Sequence, residues 1–173
     1  MPIHIIIDGY NLIRQSATLS ALDQQDIMLG REALVARLAT YRKIRPHRIT
    51  VVFDAQHSPR FSAQNDRHQG IAIRFSRRGQ SADDVIKRMA REEREKALVV
   101  SSDQEIVSFA ARCGAATISA PQFENKIEVA IQAEGHSGAS ENDSGRMMRI
   151  KKKGPSRRLS KKMRRDRMKI KKL

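Results

Sequence analysis

Three short apolar runs in this chain end on an aspartate: "IIID" at Asp8, "VVFD" at Asp54 and "VVSSD" at Asp103. An acidic pair, Asp83 and Asp84, follows Ser81 where an amphipathic stretch begins. Carboxylates gathered at one edge repel one another, and each tends to take up a proton. A hard divalent cation, Mg²⁺ or Mn²⁺, removes that conflict because it prefers carboxylate and water oxygens. Beside a phosphodiester, such a cation acidifies water and stabilises a departing oxygen, so hydrolysis needs no protein nucleophile. The same residues have a plainer reading, since Asp and Ser after a strand are ordinary turn and cap residues. That reading suits any one aspartate alone. Three strand ends and a helix start point to a shared site as readily as to caps.

Other chemistries fit less well. The chain has no GxxxxGK[ST] or GxGxxG phosphate loop and no GxSxG nucleophile turn. Its five histidines and single cysteine lack zinc-ligand spacing. An aspartyl phosphatase often carries a second aspartate two residues after the first, where this chain has Tyr10.

The elements that must position these groups follow from hydrophobic periodicity. Residues 3–7, 48–54, 70–76, 97–103 and 115–119 read as short strands rich in β-branched residues. Residues 24–43, 81–96, 104–113 and 121–134 carry helical spacing. Ser81 with Asp84 resembles a capping box, Gly114 suits a helix stop, and Pro121 suits a first turn. Strands alternating with helices predict an α/β domain with a mainly parallel sheet. In such sheets ligands bind beyond the carboxyl ends of the strands, where Asp8, Asp54 and Asp103 fall. Gly9 would let the chain turn there, and Asn11 reads equally as a turn residue or a polar partner of the site. Tyr10 reads as packing. "REEREK" (91–96) reads as a solvated helix face, with Glu92 and Lys96 spaced to pair.

Charge divides the chain. Residues 146–173 carry fifteen of the 34 Lys and Arg and one of the 19 acids, so nearly all of the +15 formal charge lies there. Residues 135–145 are Gly/Ser-rich and polar, which predicts a linker between a domain at 1–134 and a basic tail at 146–173. The tail has no aromatic residue and little apolar content, which predicts disorder when free, with Leu159, Met163 and Ile170 available to one helical face on a partner. Such a tail reads phosphates rather than bases. Candidate RNA-binding groups are Lys151, Lys152, Lys153, Arg157, Arg158, Lys161, Lys162, Arg164 and Arg165. Ribosomal or structured RNA is a natural partner. A membrane surface ranks lower without Trp or Phe anchors, and a nuclear address is a third reading of the same charges. "FSRRGQ" places Arg77 and Arg78 just before the helix of Asp83, as RNA contacts or as a solvated loop. One cysteine, Cys113, excludes an internal disulfide. With no signal-peptide pattern and no bilayer-length apolar run, the expected location is the cytoplasm.

The ordered set "IIIDGYNLI", "VVFDA", "QSADDVI" and "VVSSDQEI" resembles the YacP-like NYN domain family, a branch of the PIN-like nucleases, over roughly residues 3–131. The resemblance implies a three-layer α/β/α PIN-like sandwich and a metal-dependent endoribonuclease acting on single-stranded RNA. It implies metal-binding roles for Asp8, Asp83 and Asp103, with Asn11 as a polar partner. Asp54 matches the family's second strand end. Ser81 stands where the family commonly has threonine, and Asp84 where an acid is frequent, as ligand or cap. A noncatalytic RNA- or ribosome-binding factor on a degenerate nuclease fold is the alternative expectation, and the intact acids at the matched positions argue against it.

Overall fold

The computed structural model describes residues 3–55, 65–77, 79–136 and 160–173. Strand β1 (His4–Asp8) is buried along its whole length, as its run of isoleucines requires of a central parallel strand. Around it lie β2 (Arg48–Phe53), β3 (Asn65–His68), β4 (Ile71–Phe75), β5 (Ala97–Val100) and β6 (Ala116–Ile118). The sheet order is β3-β4-β2-β1-β5-β6, with every neighbouring pair parallel except β3 with β4.

Seven α-helices accompany the sheet among the described residues: α1 (Gly9–Gln15), α2 (Ala17–Gln25), α3 (Ile27–Ile44), α4 (Ala82–Glu93), α5 (Gln104–Arg112), α6 (Ala120–His136) and α7 (Lys161–Lys172). Strand alternation sends Ile5, Ile7, Val51 and Val100 into a core shared with Leu34 and Leu38 of α3 and Phe123 of α6. Ile6, Val52 and Val99 face the other way, against Val85, Ile86 and Met89 of α4 and Ile106 of α5. The result is the expected three-layer α/β/α sandwich. No helix among the described residues is long and apolar enough to cross a membrane.

All five predicted strands are present, and α5 ends before Gly114, which takes φ +89° as a C′ glycine does. Three features differ from expectation. Strand β3 is "NDRH", exposed throughout, so no apolar alternation marks it; its pairing with β4 depends on a turn at Gln69 and Gly70, both at positive φ. The predicted helix at 24–43 is two elements, because Asp26 leaves helical geometry and its Oδ1 caps α3 by accepting from Met28 N–H at 2.8 Å.

The third difference is the tail. Residues 161–172 form helix α7, which starts at Ser160 and lies against the domain. Leu173 is only 4% exposed within the main core, Ile170 is half-buried beside it, and Tyr41 Oη donates to the Leu173 carbonyl at 3.0 Å. The segment is too polar for a core of its own, but it borrows one from α3. Met163 stays exposed, so the expected apolar face is only partly realised. Leu159, Lys151, Lys152, Lys153, Arg157 and Arg158 lie outside the described residues, as does the linker beyond His136.

Gly9 also has a different role from the one expected. It is the first residue of α1, and a Cβ placed on it would stand 2.3 Å from the Phe53 ring. Glycine is needed there for close approach of α1 to β2, not for a left-handed turn. Gly9→Ala is expected to lower stability by about 1–3 kcal/mol through overpacking, read as a reduced denaturant midpoint.

Candidate active site

Asp8 closes β1 and caps α1: its Oδ1 accepts from Asn11 N–H at 3.2 Å and its Oδ2 from Ser101 Oγ at 3.3 Å. Because β1 and β5 are paired in parallel, the chain leaving Val100 passes beside Asp8. Asp103 lies there and caps α5, its Oδ1 accepting from Glu105 N–H at 2.7 Å and Ile106 N–H at 3.3 Å. The Asp103 N–H donates to Ser101 Oγ at 3.1 Å, so one fully buried serine links both carboxylate-bearing segments. Asp83 sits in the first turn of α4, half-buried. The cap reading of Asp8 and Asp103 is therefore correct, and it is also what aims them. Each cap fixes one carboxylate oxygen.

Their charges act on one another. Burial raises the Asp8 carboxyl to about 6, and the charges of Asp83 and Asp103 push the same way, against the Asn11 N–H and the Ser101 hydroxyl. Asp83 is also raised, by burial first and then by Asp103, while Lys87 lowers it.

The other candidates have partners of their own. Asp84 accepts from Ser81 N–H at 3.1 Å and Ser81 Oγ accepts from Asp84 N–H at 3.2 Å, which is the capping box. These bonds hold the exposed Asp84 below the usual carboxylate range. Asp54 is half-buried just after β2 and accepts from Ser76 Oγ at 3.4 Å. Arg77 is exposed in the turn before α4, and Arg78 lies outside the described residues.

Asn11 is a helical residue, not a turn residue. Its Oδ1 accepts from Ser102 N–H at 2.9 Å, tying α1 to the loop that presents Asp103. Ser102 Oγ donates to Gln15 Oε1 at 2.9 Å and accepts from Ala120 N–H at 3.2 Å, joining α1, the β5–α5 loop and α6. Sequence reasoning passed over Ser101 and Ser102 although both stand in "VVSSDQEI". It also passed over Lys87, which pairs with Glu105 between α4 and α5. The signal was Lys87 four residues after Asp83, one turn along the same helix face. Asn11→Ala is expected to lower activity roughly 10- to 100-fold by loosening the Asp103 loop, as loss of a ligand-orienting partner does. Its thermal midpoint should move little, so comparing turnover with melting separates positioning from folding.

Among the described residues, no three His, Cys, Asp or Glu side chains stand close enough to hold a metal ion as placed. The chemistry of the donor set still suits a hard cation. Asp8 and Asp83 are both raised, first by burial and then by neighbouring carboxylate charge, and Asp8 and Asp103 each cap a helix start.

Comparison with known proteins agrees with the fold. The family model for the YacP-like NYN domain matches residues 5–172. The uncharacterized protein YacP of Bacillus subtilis (strain 168) is 27% identical over 86 residues, half of each chain, so the match spans about half the length of that curated relative. The crystal structure of Rae1 (YacP) from Bacillus subtilis superposes with a TM-score of 0.66 at 24% identity, over 80% of each chain. A point mutant of that protein gives 0.65 at 23%, over 78% of this chain and 80% of its own. The family match includes α7, which the motif resemblance had left out, and the chain belongs to the YacP-like NYN domain family.

Proposed function

We propose that this protein is an endoribonuclease that hydrolyses phosphodiesters of single-stranded RNA with the help of Mg²⁺ or Mn²⁺. The observation that supports the reading is that Asp8 and Asp103 follow the paired strands β1 and β5 and share Ser101, with the charges of Asp83 and Asp103 both acting on the Asp8 carboxyl. A nuclease-type family and a strongly basic helix α7 support it.

Asp8, Asp83 and Asp103 would hold the cation, with Asp54 as a neighbouring carboxylate. When bound, the cation would polarise the phosphate and acidify an attacking water. The chain's own residues do the rest. Ser101 holds Asp8 and the Asp103 backbone in one frame, and Asn11 locks that frame to α1. Lys87 offers a positive charge between α4 and α5, beside where phosphate negative charge would accumulate. The starts of α1, α4 and α5 add partial positive charge at the same edge. Arg77 would steady the RNA backbone on the α4 side, and α7 would bring RNA to the protein through its phosphates.

Product ends test this reading. Purified protein with Mn²⁺ should cut single-stranded RNA and leave 3′-hydroxyl and 5′-phosphate ends, as attack by water with departure of the 3′-oxygen gives, and EDTA should stop it. Cleavage that persists in EDTA with 2′,3′-cyclic phosphate ends would identify attack by the RNA's own 2′-hydroxyl and reject the scheme. No cleavage of any RNA would favour a noncatalytic RNA-binding factor.

A further inference from the structure

Helix α7 lies at the opposite pole from the carboxylates. Three of its polar partners precede strands: His47 Nε2 donates to the Lys172 carbonyl at 3.3 Å just before β2, Arg165 pairs with Glu95 before β5, and Lys162 donates to the Ala111 carbonyl before β6. Asp8, Asp83 and Asp103 all follow strands. Between the strand starts on the α7 side and the strand end at Asp8, β1 runs five residues, roughly 16 Å.

The helix carries eight Lys and Arg against Asp166 alone. Leu173 and Ile170 anchor one face, while Lys161, Arg164, Arg167 and Lys171 are exposed. Grooves run along both flanks, one shared with Lys126 of α6, the other with Lys96 and the acidic end of α4. Twelve residues give a fixed ridge of charge about 18 Å long.

We infer that α7 is a second RNA site, a rigid phosphate-reading ridge that docks double-helical RNA independently of the strand held at the carboxylates. Unstructured single strands are held largely by stacking on aromatic rings, and residues 160–173 contain none. Double-helical RNA is recognised by shape and backbone, which a fixed row of cations can meet. A strand at the carboxylates would have to turn around the whole sheet to reach the ridge. Anionic membrane suits the helix less well, because its exposed apolar groups, Met163 and Met168, are isolated and without aromatic anchors.

The inference rests on the proposed function for α7 as the helix that brings RNA to the protein but not on cleavage, so the test is run in EDTA. Binding of a labelled RNA duplex to the full chain is measured across a salt series, with and without excess unlabelled single-stranded RNA. A triple variant, Lys161→Gln, Arg167→Gln and Lys171→Gln, spares the anchors named above. It should bind duplex at least about tenfold more weakly at moderate salt and reduce the slope of log K against log salt by roughly 2 to 3. The charge-preserving set Lys161→Arg, Arg167→Lys and Lys171→Arg should restore both. Single-stranded RNA should not displace duplex. Unchanged duplex binding by the triple variant, or full displacement by single strand, would overturn the second site. Loss of binding to phosphatidylserine vesicles with duplex binding intact would assign the ridge to a membrane instead.

Discussion

Asp8→Asn is expected to make the metal-free protein more stable at pH 8 while removing its activity. The sign follows from proton linkage. The Asp8 carboxyl has an ordinary value of 3.8 and is held at about 6 in the fold, so the folded state keeps its proton more tightly. Asp8 therefore costs nothing below about pH 4. The cost grows between about pH 4 and 6 and is about 3 kcal/mol at pH 8, net of the bonds Asp8 accepts in the fold. Asparagine removes that charge but can accept from only one of the two donors now facing Asp8, which returns about 1 kcal/mol. A net gain of about 2 kcal/mol at pH 8, fading to none at pH 4, is the expected result in chemical denaturation with EDTA present. Adding Mg²⁺ or Mn²⁺ should stabilise the wild type and leave Asp8→Asn unmoved. Equal stability of the two proteins at both pH values would show that Asp8 is not held under electrostatic strain.

Removing residues 161–173 is expected to damage the fold as well as RNA binding. Leu173→Ala alone should cost about 2–5 kcal/mol, because the side chain is buried in the main core against elements that cannot all collapse inward. Tyr41→Phe should cost about 1 kcal/mol by leaving the Leu173 carbonyl without its donor. The truncated chain would expose the face of Tyr41 and the core beside it, so soluble yield and thermal midpoint should both fall. A truncated protein that melts with the full chain would mean that α7 contributes charge only.

The sequence made the sheet legible because its parallel strands are buried on both faces, and runs such as "HIII" and "LVV" have no other use. The acids were legible for a different reason: each ends such a run, and topology then gathers strand ends on one edge. What escaped notice was polar. Strand β3 has no apolar side, α1 and α2 lack a clean stripe, and Ser101 and Ser102 look like loop residues until the three elements they join are seen together. The docking of α7 was hidden because composition reports whether a segment can form a core alone, not whether one leucine can enter another's. Asp84 and Asp83 are adjacent, yet the capping box commits the exposed Asp84 to Ser81, while Asp83 is half-buried and feels the Asp103 charge.

The central claim is that Asp8, Asp83 and Asp103 act as one site. The most direct measurement is the cleavage rate of one single-stranded RNA at saturating Mn²⁺, for the wild type and for Asp8→Asn, Asp83→Asn and Asp103→Asn, each with native circular dichroism. Each substitution should lower the rate at least about 100-fold, since each removes a ligand and not merely its support. Any two combined should cost little more than one, because groups acting as a unit are not additive. Wild-type rates in all three folded variants would contradict the site.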